Sequence, residues 1–395
     1  MNVHPEIAAL QDEMKSWRRD FHAHPEIGFE ERRTSDIVAE KLQSWGIEVH
    51  RGIGVTGVVG VLRGRPGNRA VGLRADMDAL AMDEENDVEH RSTIPNRMHA
   101  CGHDGHTTML LGAAKHLART RDFSGTINFI FQPAEEGLAG AKAMIDDGLF
   151  DRFPCDSVYA IHNDPNTDIG LVNVRPGGML AAVDYFEITV HGKGCHGGQP
   201  HLGIDPIVAA AGVINAIQTI SSRRADPLDT VVISICQING GSVNIVVPEQ
   251  VVLRGSVRTL KRKTRDDVEL WFKTAVESAA AAQGARTTIN YDRAYPPTIN
   301  TALESGIAAS AARSVVGENN ILTDEPSWTA GEDFAFMLEE KPGAYAFFGQ
   351  RGTSHGGVAL HNPKYDFNDD LLPVGAGFFV SLVERVLGKE SVSTQ

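Results

Sequence analysis

Residues 107–137 read TTMLLGAAKHLARTRDFSGTINFIFQPAEEG. In the first half, Met109, Leu110, Ala113, Ala114 and Leu117 recur at helical spacing, which predicts a helix over Thr107–Leu117. Thr126–Phe131 follows as a short run rich in β-branched and aromatic residues, the composition of a buried strand. Two adjacent carboxylates, Glu135 and Glu136, come directly after it, in a turn fixed by Pro133 and Gly137. The alternation extends outward. Met14–Trp17 and Ile37–Leu42 read as helical, the second ending at Gly46. Val55–Leu62, Ala70–Leu73 and Ser157–Ile161 read as buried strands. Strands alternating with helices predict an α/β sheet covered on both faces.

Near residue 184 the pattern changes. Tyr185–Val190 alternates apolar and polar residues, and Asp205-Pro206 opens a helix running to Ser221. Thr230–Ile238 and Gln250–Thr259 read as strands. A helix over Thr264–Ala282, with Thr264 as its cap and Gly284 beyond its end, precedes a last strand, Arg286–Asp292. The order βαββαβ suggests a small ferredoxin-like domain, 184–294, inserted into a larger one formed by 1–183 and 295–395.

Composition narrows the function classes. The 395 residues are 42% hydrophobic, enough for a large core and more than one domain. A formal net charge of -14 argues against nucleic acid or an anionic membrane as partner. No apolar run reaches the roughly 18 residues of a membrane span, and Met1–Asp20 lacks a signal-peptide core, so a cytoplasmic protein is expected. Cys101, Cys155, Cys195 and Cys236 are scattered, without disulfide-scaffold spacing.

Five segments carry chemistry. In Met98–His106, MHACGHDGH, the thiol of Cys101 and the imidazole of His103 lie two residues apart and can share a borderline-soft cation. A buried cysteine beside a surface histidine fits the pair too. Gly102 and Gly105 allow a tight turn there. Glu135 and Glu136 repel each other, so a cation would neutralise one and leave the other for proton transfer; a solvated acidic loop is the alternative. His162 in IHN and His361 in LHNPKYDF are single histidines near apolar runs, a type more often structural than ligating. Asp76 and Asp78 end the strand in RADMDAL, where one carboxylate could orient a metal-bound histidine or simply cap the strand.

Taken together, FHAHPEIGFEE (21–31), RADMDAL, MHACGHDGH, QPAEEG, IHN, GKGCHGGQPH (192–201), GEDF (331–334) and LHNPKYDFND resemble peptidase family M20 nearly end to end. They resemble specifically its amidohydrolase branch of hippurate hydrolases, N-acyl-amino-acid amidohydrolases and indole-3-acetyl-amino-acid hydrolases. The resemblance implies a zinc-peptidase-like α/β catalytic domain with an inserted lid and dimerisation domain. It implies that Cys101, His103, Glu136, His162 and His361 hold two divalent ions (Mn, Zn, Co or Ni), with Cys101 bridging. Glu135 would be the general base and Asp78 would orient a ligand. His196 would reach the neighbouring subunit of a homodimer, or a higher assembly, and stabilise the oxyanion. Asn244 and Arg258 match where relatives hold the substrate carboxylate. The implied substrate is a small N-acyl amino acid; a dipeptidase or carboxypeptidase, or a non-catalytic metal-binding relative, are the alternatives. Ala81, where the branch usually has proline, and Cys195, where glycine is common, depart from the pattern and bear on pocket shape.

Overall fold

In the computed structural model, which describes residues 1–353 and 356–388, the stretch from Thr107 to Gly137 is a helix and a strand longer than the sequence predicts. The helix is His103–Thr120 and the strand Ser124–Gln132. The helix starts one turn early because Gly102 takes the left-handed conformation that ends the preceding loop. The helix is buried along most of its length, packed against Gln11–Ala23 and Leu372–Leu387, which explains why its apolar stripe is so broad.

The chain divides into two units, 1–177 with 300–326 and 336–395, and 178–299 with 327–335. The first holds an eight-stranded sheet in the order Glu48–Ile53, Gly57–Arg63, Ser124–Gln132, Arg65–Asp76, Ser157–Asp168, Gly343–Arg351, Val172–Asn173, Ile321–Leu322. The four strands from Ser124–Gln132 to Gly343–Arg351 run parallel. Successive residues of these strands are buried without alternation, so both faces of the sheet are covered. Periodicity shortens Arg65–Asp76 to Ala70–Leu73 because the first half of the strand is exposed and polar. Glu48–Ile53, which is mostly exposed, escapes it for the same reason. Parallel strands bring their carboxyl ends to one edge, where Asp76 pairs with Gln132 and His162 with Phe347.

The second unit has the βαββαβ order, with antiparallel strands Ala182–His191, Val231–Gly240, Gln250–Thr259 and Arg286–Tyr295 in the spatial order second, third, first, fourth. This is the ferredoxin-like arrangement. Helices Pro206–Thr219 and Arg262–Ala281 cover one core built from Phe186, Ile188, Leu253, Val213, Ile217 and Phe272. The Asp205 carboxylate accepts from the Ile207 and Val208 N–H groups. Thr264 is not the cap of the later helix: it lies inside, and its hydroxyl donates to Asp229. Ser327–Ala335, expected with the larger domain, clusters here instead, because Ala181 N donates to Trp328 O and Trp328 N to Met179 O. No described helix is long and apolar enough to cross a membrane.

Inside this unit Asp184 is buried, 2.9 Å from Arg265 Nε, and accepts a hydrogen bond from Tyr291 Oη at 3.0 Å. Burial and the Asp184 charge push the Tyr291 phenol well up, so it stays a donor. Arg265→Met leaves that carboxylate without its cation, and we expect a loss of about 3–5 kcal/mol in urea unfolding. Unchanged stability would mean that Asp184 is already satisfied without Arg265.

Candidate metal centre

All groups of this centre belong to the first unit. Gly102 sits at φ +94°, and a β-carbon on it would lie 2.3 Å from Asn163 Oδ1. Only glycine lets the chain pass there, which puts Cys101 just before, and His103 just after, the start of the helix. Gly105 matters for packing instead. Inside the helix it makes room for the Phe367 ring, which a β-carbon would meet at 2.3 Å. Cys101 Sγ lies 3.4 Å from His162 Nε2. His361 is held over this turn by its own N–H, which donates to the Ala100 carbonyl at 2.8 Å, with the backbone at φ +59°.

Two imidazoles have their tautomer set by backbone carbonyls. His103 Nδ1 donates to the Asp78 carbonyl at 2.8 Å and lies 3.2 Å from Asp78 Oδ1. His162 Nδ1 donates to the Asn163 carbonyl at 2.8 Å. A neutral ring that donates from Nδ1 keeps its lone pair on Nε2. Those lone pairs face Asp76, Glu136 and Cys101: His103 Nε2 is 3.7 Å from Asp76 Oδ2 and 4.0 Å from Glu136 Oε1. Glu136 Oε1 also stands 3.2 Å from His361 Nε2, without hydrogen-bond geometry.

His103 Nε2 and Glu136 Oε1 are buried with no hydrogen-bond partner. Such atoms are costly unless something else satisfies them. Ligand atoms of Cys101, His103 and His162 lie within 4.8 Å of one another, as do those of Cys101, Glu136 and His361, and those of His103, Glu135 and Glu136. Thiolate, imidazole and carboxylate in overlapping sets suit two adjacent borderline cations. The electrostatics agree. Burial, then Glu136, pushes the Cys101 thiol up, so a thiolate here needs a cation. Burial, then His106, holds His162 down and neutral. Burial opposes charge on His103, yet Asp76 and Cys101 raise it, the mark of a site with excess negative charge.

Apart from Asp76, the surrounding polar groups carry no assignment from sequence. His106, one helical turn after His103, lies 2.6 Å from Asp76 Oδ1 and 2.7 Å from Asn163 Oδ1, and Asn163 Nδ2 donates to Tyr365 Oη. Asp76 also accepts from Arg74 Nη1. The spacing of His103 and His106 on one helical face was the available signal. Asp78 and Asp76 therefore diverge: Asp76 serves His106 and Arg74, while Asp78 serves His103 and accepts from the Glu136 N–H at 2.9 Å. Beneath lie Arg18, His22 and Asp104, all fully buried. Of the other residues singled out, His196, Asn244 and Arg258 belong to the second unit. His196 is exposed on a two-stranded ribbon, paired with Val246, close in the chain to the exposed Asn244. Arg258 is half-buried on the Gln250–Thr259 strand.

His22 lies 2.8 Å from Asp104 and 3.2 Å from Glu84. Burial disfavours its charge, but the bonds to Asp104 and Glu84 raise it to about 9. Its folded value exceeds the unfolded one of roughly 6.5, so its stabilisation is complete below that pH and is lost as pH rises through about 9. We expect the melting temperature of the native protein to fall between pH 7 and 10 more steeply than that of His22→Gln. Parallel curves would show that His22 is neutral in the fold.

Residues 72–385 match the model of peptidase family M20/M25/M40. The hippurate hydrolase of Campylobacter jejuni is 42% identical over 387 residues, covering 98% of this chain and 100% of that protein. Thermostable carboxypeptidase 2 of Saccharolobus solfataricus is 38% identical, covering 94% of each chain. The crystal structure of the YXEP protein of Bacillus subtilis, a dinuclear metal binding peptidase, superposes with a TM-score of 0.85 at 32% identity, over 96% of this chain and 99% of that one. With a cysteine–histidine pair at the start of its site helix, the chain belongs to peptidase family M20/M25/M40, in the amidohydrolase branch.

Proposed function

We propose that this protein hydrolyses the amide bond of small N-acyl amino acids, releasing a carboxylic acid and a free amino acid. One observation carries the reading: Glu135 is buried, and its carboxylate lies within 4.8 Å of the ligand atoms of His103 and Glu136. Cys101, His103, Glu136, His162 and His361 would hold two divalent ions, Mn, Zn, Co or Ni. Such ions, when bound, supply Lewis-acid activation of water and of the substrate carbonyl. Glu135 accepts the proton of the attacking water and passes it to the leaving amine. Asp78 keeps His103 in the tautomer whose Nε2 faces inward. Asn244 and Arg258 are our candidates for the substrate carboxylate, Arg258 through its fixed charge. The similarity to a carboxypeptidase supports a second reading, in which the acyl group is itself an amino acid or peptide.

A panel of N-benzoyl, N-acetyl and indoleacetyl amino acids and free dipeptides, offered to metal-reconstituted protein, separates the two readings. We expect turnover of the N-acyl amino acids and little of the dipeptides; the reverse order would favour the peptidase. Glu135→Gln should lose turnover by about 100-fold or more while retaining both ions. If Glu135→Gln loses metal and Glu136→Gln does not, the two roles are exchanged.

The second unit is proposed as a lid and dimerisation domain of a homodimer, with His196 donating to the reaction oxyanion in the neighbouring subunit. The exposed position of His196, far in sequence from every donor, supports this. Removing one oxyanion donor costs roughly 3 kcal/mol in hydrolases. His196→Ala should therefore keep its ions and lose turnover. Mixing inactive Glu135→Gln with inactive His196→Ala, after subunit exchange, should restore part of the activity. Proven heterodimers without recovery would leave His196 to its own chain or to structure alone.

A further inference from the structure

The loop that presents Glu135 is backbone-strained. Ala134 has φ +52° and ψ +46°, Gly137 φ +79° and Ala139 φ +56°. For alanine the left-handed region costs about 1–2 kcal/mol per residue, so outside contacts must hold it. Two buried carboxylates do so, on either side of Glu135. Asp78 Oδ2 accepts from the Glu136 N–H at 2.9 Å, and Glu31 Oε1 accepts from the Ala134 N–H at 2.8 Å. Glu31 is fully buried and arrives from the far end of the sequence, from the N-cap of helix Arg32–Ser44. Its other oxygen accepts from Thr56 Oγ1 at 2.5 Å. Among the described residues Glu31 has no ion-pair partner within 4 Å, and burial raises it to about 7. A buried carboxylate without a cation is a poor choice for stability alone.

We propose that Glu31 is a positioning residue of the reaction: by gripping the Ala134 N–H it fixes the left-handed turn that aims Glu135. The proposal rests on Glu135 being the general base. Asp78 fixes the far side of the same residue, so Glu135 hangs between two anchored peptide groups. Thr56 keeps Glu31 in the rotamer that reaches Ala134. Orientation of this kind acts on the rate of the chemical step, because small displacements of a reacting group lose up to about 100-fold in rate.

The test compares Glu31→Gln, Glu31→Met and Glu31→Asp in metal-loaded protein, beside Glu135→Gln. Gln retains an acceptor for the Ala134 N–H, and its amide can donate to Thr56 in exchange. We expect its kcat within about threefold of the parent. Met fills the same space without an acceptor, and Asp is too short to reach. In both, kcat should fall by about 30-fold, with KM and metal content unchanged. Amide exchange across residues 132–140 should quicken in the same two variants. Full kcat in Glu31→Met or Glu31→Asp overturns the proposal, as does a loss that appears equally in Glu31→Gln or follows loss of metal. If Glu31→Met does not fold, Glu31→Asp alone carries the comparison. Retained activity in Glu135→Gln would instead overturn the base assignment. A dead Glu135→Gln beside a fully active Glu31→Met removes only the clamp.

Discussion

The Asp78 peptide and side chain hold two pieces of the centre that are distant in sequence. Its carbonyl takes the His103 Nδ1 proton, Oδ1 lies against the same ring, and Oδ2 takes the Glu136 N–H. A helix start and a strand end are thereby locked to one residue beyond the Arg65–Asp76 strand. Parallel pairing already brings these chain segments to one edge of the sheet. Pairing sets strand position only to within the freedom of the loops; the Asp78 contacts remove that freedom and determine which imidazole nitrogen faces inward.

Charge has to be managed in such a site. Asp76, Glu136 and the Cys101 sulfur crowd around His103, and nearby cationic side chains point elsewhere. Arg74 is spent on Asp76 and Gln132. Arg18 lies below, paired with Asp369 at 2.7 Å and close to Asp366 and Asp104, where it ties the segment after His361 to the segment after His103. Negative charge is thus neutralised in the layer underneath and left unbalanced around the donor groups, the pattern expected of a protein that recruits cations rather than carrying its own.

How far the sequence reveals this depends on the kind of signal. The βαββαβ unit is legible because its strands alternate and Asp205-Pro206 is a sharp helix start with one physical meaning. Thr264 misleads because threonine inside a helix looks like a cap until its partner, Asp229, is seen. Ser327–Ala335 cannot be assigned by periodicity, since backbone bonds to residues 179–181 fix its place. Within the site, Cys101, His103, Glu135 and Glu136 stand out as paired reactive groups. His162 and His361 look ordinary alone and gain meaning only in proximity. Glu31 has no local signature: it is the second of two adjacent glutamates, followed by Arg32 and Arg33, and nothing near it in sequence announces Ala134.

Backbone strain separates two kinds of donor. His162 lies within the Ser157–Asp168 strand, flanked by pairing to Gly343–Arg351, and needs no unusual dihedral. His361 and the Glu135–Glu136 pair come from loops, and each loop contains a non-glycine residue at positive φ: His361 itself and Ala134. In both cases the strained residue's own N–H is captured, by the Ala100 carbonyl and by Glu31. A strand can supply a fixed donor without strain, but it cannot turn a side chain back toward its own end. Donors that close a centre from above must come from loops. A loop holds such a pose only when its backbone hydrogen bonds are committed to other elements.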